Sequence, residues 1–217
     1  VYSGVQPAWD GAWTLVVLNQ LSADLRRDAR QELEWMGFGA FAPTVLAHPG
    51  VDRAELNASL QELGALDDAI IFQTDTHESF AARPLRLQVR EAWNLAQLAD
   101  GYRDFLDQFR PLWNQMKNHK KLPPRECFLA RVLLIHEYRK LLLRDPLLPE
   151  ELLPADWEGR AARQLARNLY RLTHQGAEAW ISQHAETAQG PLPEPSLIPL
   201  RRCRRTTLFR PRGPPSH

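Results

Sequence analysis

The side chains best suited to bind an anionic ligand lie between residues 131 and 144, in a segment with helical apolar periodicity. Four cations are found there: Arg131, Arg139, Lys140 and Arg144. Their spacing gives a partly continuous cationic strip beside an apolar stripe. Cations bind phosphates and an apolar, aromatic-lined slot binds an acyl group, so the segment suits a coenzyme A thioester. A solvated charged face is the alternative interpretation.

Three aromatic side chains in or after the same segment are candidates to line that slot: His136, Tyr138 and Trp157. His136 is followed by Glu137, the nearest approach to an acid–base pair in the chain. Adjacent helix positions point about 100° apart, so this spacing alone does not let the two side chains share a proton or a metal ion. A hydrogen bond within a helical bundle is the alternative role for His136.

Catalytic and nucleotide-binding motifs are missing from the sequence. It contains no G-x-S-x-G, Walker loop, G-x-G-x-x-G or H-E-x-x-H. The GFG at residues 37–39 lacks a third glycine and a following helix, so a helix C-cap explains it better than a phosphate loop. Cys127 and Cys203 show no C-x-x-C spacing. We therefore predict no catalytic residues, no metal site and no cofactor, and expect that the chain is not an enzyme.

The first part of the chain shows the element order of a ferredoxin-like split βαβ unit. Apolar runs at residues 13–18 and 69–74 indicate strands, and residues 38–48 indicate a hairpin around Pro43. Ser22 and Asp52 are typical N-caps for the two intervening helices. The fold class predicted is α+β, with a ferredoxin-like βαββαβ domain over residues 12–79.

The second part is predicted to be an all-α helical domain over residues 85–189. Its central helix should run from Glu126 to Leu143, with Ile135, Tyr138 and Leu142 on the buried face. Arg110-Pro111 should break or kink the helix before it. Residues 1–11 are interpreted as a connector, and residues 190–217 as a flexible tail rich in arginine and proline.

Composition and charge narrow the class of protein further. The chain has 217 residues, of which 44% are hydrophobic and 24% charged, and no apolar run long enough to span a bilayer. Residues 196–217 contain six of the 27 basic side chains and none of the 26 acidic ones, so the remainder is net acidic. That balance argues against an extended nucleic-acid surface on the folded part. We expect a cytoplasmic protein without membrane contact.

Four segments resemble, in the same order, the PaaX family of bacterial transcription factors, the repressors of the phenylacetic acid catabolon. They are QPAWDGAW from Gln6, WMGFGAFAP from Trp35, YRDFLDQFRPL from Tyr102 and LLIHEYRKLLLRDPLLPEELLPADW from Leu133. The resemblance covers roughly residues 1–195. It implies a homodimer that responds to phenylacetyl-CoA and reads operator DNA through an N-terminal winged helix, which we do not find in this sequence.

The resemblance therefore identifies the chain as the effector-sensing and dimerisation part of such a repressor. It raises the ligand interpretation of Arg131, Arg139 and Arg144, which we expect to bind the effector's phosphates near the domain junction. His136, Tyr138 and Trp157 are expected nearby.

Two enzymatic alternatives stay open, an acyl-CoA thioesterase and a ferredoxin-like nuclease. The family's middle domain is similar to small CRISPR-associated endoribonuclease-like proteins, whose active site has an acidic residue after the first strand. Asn19 occupies that position here, and an amide is neither a charged metal ligand nor a base at neutral pH.

The charge distribution predicts how this chain binds DNA. We expect no sequence-specific operator binding by the chain alone. Weak, salt-sensitive binding through the arginine-rich tail should disappear when the residues after Gly190 are deleted, because the cationic side chains go with them. Gel-shift titrations at two salt concentrations measure this, and sequence-selective binding by the shortened chain would contradict it.

Overall fold

The computed structural model describes residues 9–75, 83–119 and 121–184, together with the short pairs 186–187 and 190–191. Most of the predicted connector and tail therefore lies outside the described residues. The elements are, in chain order, β1 (Ala12–Val17), α1 (Ala23–Trp35), β2 (Gly39–Ala42), β3 (Val45–His48), α2 (Arg53–Glu62), β4 (Ile70–Asp75), α3 (Arg83–Ala92), α4 (Leu95–Met116), α5 (Pro124–Leu142), a 3-10 turn (Glu150–Leu152), α6 (Glu158–His184), β5 (Glu186–Thr187) and β6 (Gly190–Pro191).

The first four strands form one antiparallel sheet in the order β2-β3-β1-β4. Leu15 in the central strand β1 pairs with Ala47 of β3 on one side and with Phe72 of β4 on the other. This is the strand order of the ferredoxin-like βαββαβ unit, and helices follow it, so the predicted α+β fold class is confirmed. The hairpin expected around Pro43 is β2–β3, with an irregularity between Ala40 and Ala42.

One face of the sheet is covered by α1 and α2. Val16 and Leu46 of the sheet are fully buried with Leu33 of α1 and Leu56 of α2. Both helices begin at the predicted caps, because the Ser22 hydroxyl accepts from the Leu25 N–H and the Asp52 carboxylate from the Ala54 N–H. Local capping signals thus set the positions at which these two helices start.

The opposite face of the sheet meets the helical part of the chain. Trp13 of β1 is buried there, with ring contacts to Phe41 at 5.5 Å and to Trp93 at 6.2 Å. The α3 helix lies against β2, and the Gln88 side-chain amide donates to the Phe41 carbonyl at 3.1 Å. An aromatic cluster therefore joins the sheet to the helices.

The helical run that the sequence predicts from residue 89 onwards is divided into two helices at Asn94. This residue has a left-handed backbone with φ of 45°, and its side chain caps α4 by accepting from the Gln97 N–H. Pro111, by contrast, does not end α4, which continues to Met116. The expected break there was wrong: Phe109 and Met116 are buried on either side of Pro111, and this packing offsets the one backbone hydrogen bond that proline lacks.

The buried face of α5 also differs from the prediction. Its buried residues are Cys127, Ala130, Arg131 and Leu134, whereas Ile135 is 48% exposed. The apolar stripe is wide enough to permit either orientation, and packing against α6 decides it. Close approach of the two helices is seen at Gly176, where an added Cβ would lie 2.5 Å from the Cys127 Sγ. No helix in the described part of the chain is both long and apolar enough to cross a membrane.

Burial of His48 makes the stability of the sheet domain pH-dependent. Desolvation lowers the pKa of this imidazole to about 4, and its Nδ1 is buried without a hydrogen-bond partner. The ring packs 5.1 Å from that of Phe38. The folded chain therefore holds His48 neutral over a pH range in which the unfolded chain binds a proton.

The free energy of unfolding should fall as the pH drops from about 6.5 to about 4, by roughly 3 kcal/mol from this group. Above pH 6.5 both states are neutral at His48 and the term vanishes. Urea denaturation of the wild type and of His48→Gln at pH 7.5 and 4.5 measures the effect, and the variant should lose less stability on acidification. Identical losses in both proteins would show that other groups control the acid sensitivity.

Candidate functional site

A pocket of about 290 Å³ lies where the end of α1 meets the segment that follows α5. We call it the junction pocket. Its lining consists of Glu34, Trp35, Met36, Gly37, Phe38, Trp93, Leu142, Leu143, Arg144, Asp145 and Pro146. The ferredoxin-like part supplies one wall and the helical part the other, so any occupant would contact both.

The first wall is fixed by the way α1 ends. Gly37 has φ of 97°, its N–H donates to the Glu34 carbonyl at 3.0 Å, and the Phe38 N–H donates to the Leu33 carbonyl at 3.0 Å. This pair of bonds is a Schellman motif, which the glycine permits, and it agrees with the predicted C-cap. Trp35, in the last turn before it, is 64% exposed.

The second wall is fixed by the carboxylate of Asp145. It accepts a short hydrogen bond from the Tyr102 hydroxyl of α4 and a 2.8 Å bond from the Leu147 N–H. Burial, together with the negative charge of Asp145, raises the pKa of Tyr102, so this hydroxyl keeps its proton and remains a donor. The Trp157 ring stands edge-on to Tyr102 at 5.7 Å. The chain after α5 is thereby held in one conformation.

Trp93, just after α3, attaches the helical part of the chain to the first wall. Its indole N–H donates to the Gly37 carbonyl at 2.9 Å, and its ring lies directly over Gly39. A Cβ added at Gly39 would be 2.5 Å from the ring, so no other residue fits there without movement. The next residue, Asn94, has the left-handed backbone that separates α3 from α4.

Arg144 is the cation of the pocket that is available to a ligand. Its exposed guanidinium makes no hydrogen bond or ion pair with any residue that the structure describes. The two lining carboxylates are already occupied: Glu34 pairs with Arg30 at 2.9 Å, and Asp145 accepts the two bonds above. The pocket thus combines an aromatic and apolar lining with one uncommitted positive charge.

The structure separates the six residues proposed as ligand contacts into three groups. Arg131, Tyr138 and Trp157 take part in packing between helices, with Tyr138 5.3 Å from the Phe105 ring. His136 and Arg139 are exposed on α5, away from its buried face. Of the six, Arg144 lines the junction pocket. Their ligand-binding role stays a prediction.

Arg131 is committed to contacts within the bundle. It is 6% exposed, and its guanidinium lies 3.0 Å from the His174 Nδ1, 3.4 Å from the Glu178 carboxylate and 4.0 Å from the centre of the Tyr170 ring. Thirteen positions separate it from Arg144, about 20 Å along a helix axis. The two arginines therefore do not meet one phosphate group.

Trp35, Trp93 and Leu143 are not among the six ligand contacts that the sequence predicted. Trp93 reads as part of an apolar helical face, and its contact with Gly37 and Gly39 spans more than fifty residues of chain. Trp35 left one signal: it lies off the apolar stripe of α1, whose buried members are Ala29 and Leu33. A tryptophan off the buried stripe of a surface helix is expected to face solvent.

Fold and pocket together define the class of this chain: a ferredoxin-like unit joined to a helical unit, with a ligand-sized pocket between them. Within the described residues, no group of three or more His, Cys, Asp or Glu side chains could hold a metal ion. Residues 6–87 match the PaaX protein central Cas2-like domain, and residues 93–183 match the PaaX-like protein C-terminal domain. The chain belongs to the PaaX family.

Two known proteins show how far this similarity extends. The chain is 39% identical over 203 residues to the transcriptional repressor PaaX of Escherichia coli K12, covering 93% of this chain and 64% of that protein. It thus spans a little under two thirds of its curated relative. The fold is also similar to that of the uncharacterized protein Rv0674 of Mycobacterium tuberculosis, with a TM-score of 0.51 and 19% identity over 79% of this chain and 64% of that one.

The surroundings of Arg131 predict a stability role that can be separated from binding. Arg131→Ala should lower the free energy of unfolding by about 2–3 kcal/mol, because it uncovers Tyr170 and leaves the partly exposed Glu178 without its partner. Arg139→Ala, at an exposed position on the same helix, should change it by less than about 0.5 kcal/mol. Urea denaturation compares them, and equal effects would refute the assignment.

Proposed function

We propose that this chain is the effector-sensing and dimerising part of a PaaX-like transcriptional repressor, and that phenylacetyl-CoA binds in the junction pocket. The observation that carries the proposal is the pocket's composition. It brings exposed aromatic and aliphatic side chains from both parts of the chain next to the uncommitted cation Arg144. An aromatic acyl thioester offers the complementary groups, an apolar ring at one end and phosphates at the other.

The size of the pocket supports a divided binding mode. A volume of about 290 Å³ suits an aryl acyl group but not a whole coenzyme A thioester. The pantetheine arm and phosphates would then lie outside it, along the exposed side of α5. Arg144 follows that helix and Arg139 lies five positions earlier, about 8 Å along the axis. His136 is one further turn back, also exposed.

The buried contacts of Arg131 make it unsuited to bind a phosphate of the effector. A guanidinium held by His174, Glu178 and Tyr170 would have to leave three partners before binding a phosphate. Arg144 and Arg139 are therefore the phosphate ligands that we propose, and Arg131 is a structural residue. Tyr138 and Trp157 support the site by packing beneath it rather than by touching the effector.

Regulation would follow from the position of the pocket between two parts of the chain. A ligand that contacts both walls stabilises the arrangement in which the walls are closest, and it shifts the population by its difference in affinity for the two arrangements. Asn94 is the position about which α4–α6 could turn relative to the sheet. We propose that this change reaches a DNA-reading domain, as expected for a relative of a longer repressor.

Membership of the PaaX family also supports a homodimer. Light scattering of the purified chain measures its molar mass and so tests this directly. In a symmetric repressor, two copies would respond together, and the operator half-sites would match the two-fold symmetry of the protein.

Isothermal calorimetry with phenylacetyl-CoA tests the site. Arg144→Ala should weaken binding by about 1–3 kcal/mol through loss of a charge-assisted contact, with little change in melting temperature. Arg139→Ala should weaken it in the same direction. Arg171→Ala is the matched control, since Arg171 is an exposed arginine of α6 that does not line the pocket.

Equal affinity of the Arg144 and Arg171 variants would contradict the proposed site. The same samples also address catalysis, because free thiol can be followed during incubation with phenylacetyl-CoA. Sustained thiol release by the wild type that is lost in a pocket variant would replace the sensor by a thioesterase.

A further inference from the structure

Among the large hydrophobic side chains identified as exposed in the described part of the chain, the two most exposed line the same pocket. Leu143 is 70% exposed and Trp35 is 64% exposed, while the next, Phe72, lies on β4 at 53%. Trp35 comes from the ferredoxin-like part and Leu143 from the helical part. Exposed apolar surface placed on both sides of one cavity indicates that the cavity binds an apolar group.

Both side chains are attached to rigid backbone. Trp35 is in the last turn of α1, immediately before the Schellman motif at Gly37. Leu143 is the C-cap of α5, and its N–H donates to the Arg139 carbonyl at 3.0 Å. Little conformational entropy is lost when a ligand fills a site whose walls are already fixed.

The aromatic face of Trp35 is available to a ligand, in contrast to that of Trp93. The Trp93 ring packs against the backbone at Gly39, and it has ring contacts with Trp13 at 6.2 Å and Phe41 at 5.9 Å. Trp35 makes no ring contact with another described residue. An indole face prefers a flat aromatic partner to an aliphatic chain of similar size, because ring quadrupoles add to the burial of area.

We infer that Trp35 and Leu143 form an aryl clamp, which determines that the junction pocket takes a flat aromatic acyl group in preference to an aliphatic one. Trp35 stacks on the ring and supplies the preference, while Leu143 covers the opposite side and binds either kind of acyl group. The inference rests on the proposed function, since it specifies the acyl selectivity of that site. It assigns selectivity to the wall contributed by the ferredoxin-like part.

Calorimetry with phenylacetyl-CoA, hexanoyl-CoA and free coenzyme A tests the clamp on the whole chain. Trp35→Leu keeps an apolar side chain without the ring, and it should bind phenylacetyl-CoA about threefold to tenfold more weakly with little change for hexanoyl-CoA. Trp35→Phe should retain the preference. Leu143→Ala should weaken both esters alike, and Phe72→Ala, an exposed apolar position of β4 that does not line the pocket, should weaken neither.

An unchanged ratio of the two affinities in Trp35→Leu overturns the aryl clamp and leaves the proposed function standing. A wild-type chain that binds neither ester removes the proposed function and the clamp together. Melting temperatures of the variants check that each is folded, and an exposed side chain such as Trp35 should alter them little.

Discussion

Contact between the Trp93 indole and two glycines holds the two parts of this chain together. The ring lies over Gly39, where a side chain would have no room, and its N–H satisfies the Gly37 carbonyl. Gly37 in turn is the residue that lets α1 end and β2 begin. One interaction therefore fixes the α1 terminus, the β2 edge and the start of α4 at the same point. A larger residue at position 39 would separate the sheet from the helices.

The pocket is a direct result of that arrangement. Trp93 lines it together with residues at the end of α1 and residues that follow α5. Each wall is set by bonds inside its own part, the Schellman motif on one side and the Tyr102–Asp145 hydrogen bond on the other. A binding site between two stiff bodies converts ligand contacts into relative movement more efficiently than one within a single core.

Structural features that depend on short stretches of sequence could be predicted. Features that depend on contacts between residues far apart in the sequence could not. The order of strands and helices along the chain, the caps at Ser22 and Asp52 and the glycine that ends α1 all follow from local signals, and the structure has them. The buried face of α5 was missed because Ile135 and Leu134 are equally apolar and only the position of α6 distinguishes them. The contacts of Arg131 could not be predicted for the same reason, since its partners on α6 lie more than forty residues away. The sequence did not indicate the left-handed backbone of Asn94, because asparagine also occurs within helices.

The close contact between Cys127 and Gly176 makes the reactivity of the Cys127 thiol sensitive to separation of α5 and α6. Burial raises the pKa of the Cys127 thiol, and the thiolate is the form that reacts with alkylating and disulfide reagents. With Gly176 packed against its sulfur, the thiol is reached only when α5 and α6 separate. The labelling rate at this one atom therefore depends on how often the helix pair opens, in the same way that amide exchange depends on local unfolding. Thiol labelling of Cys127 is thus a measure of how tightly α5 packs against α6.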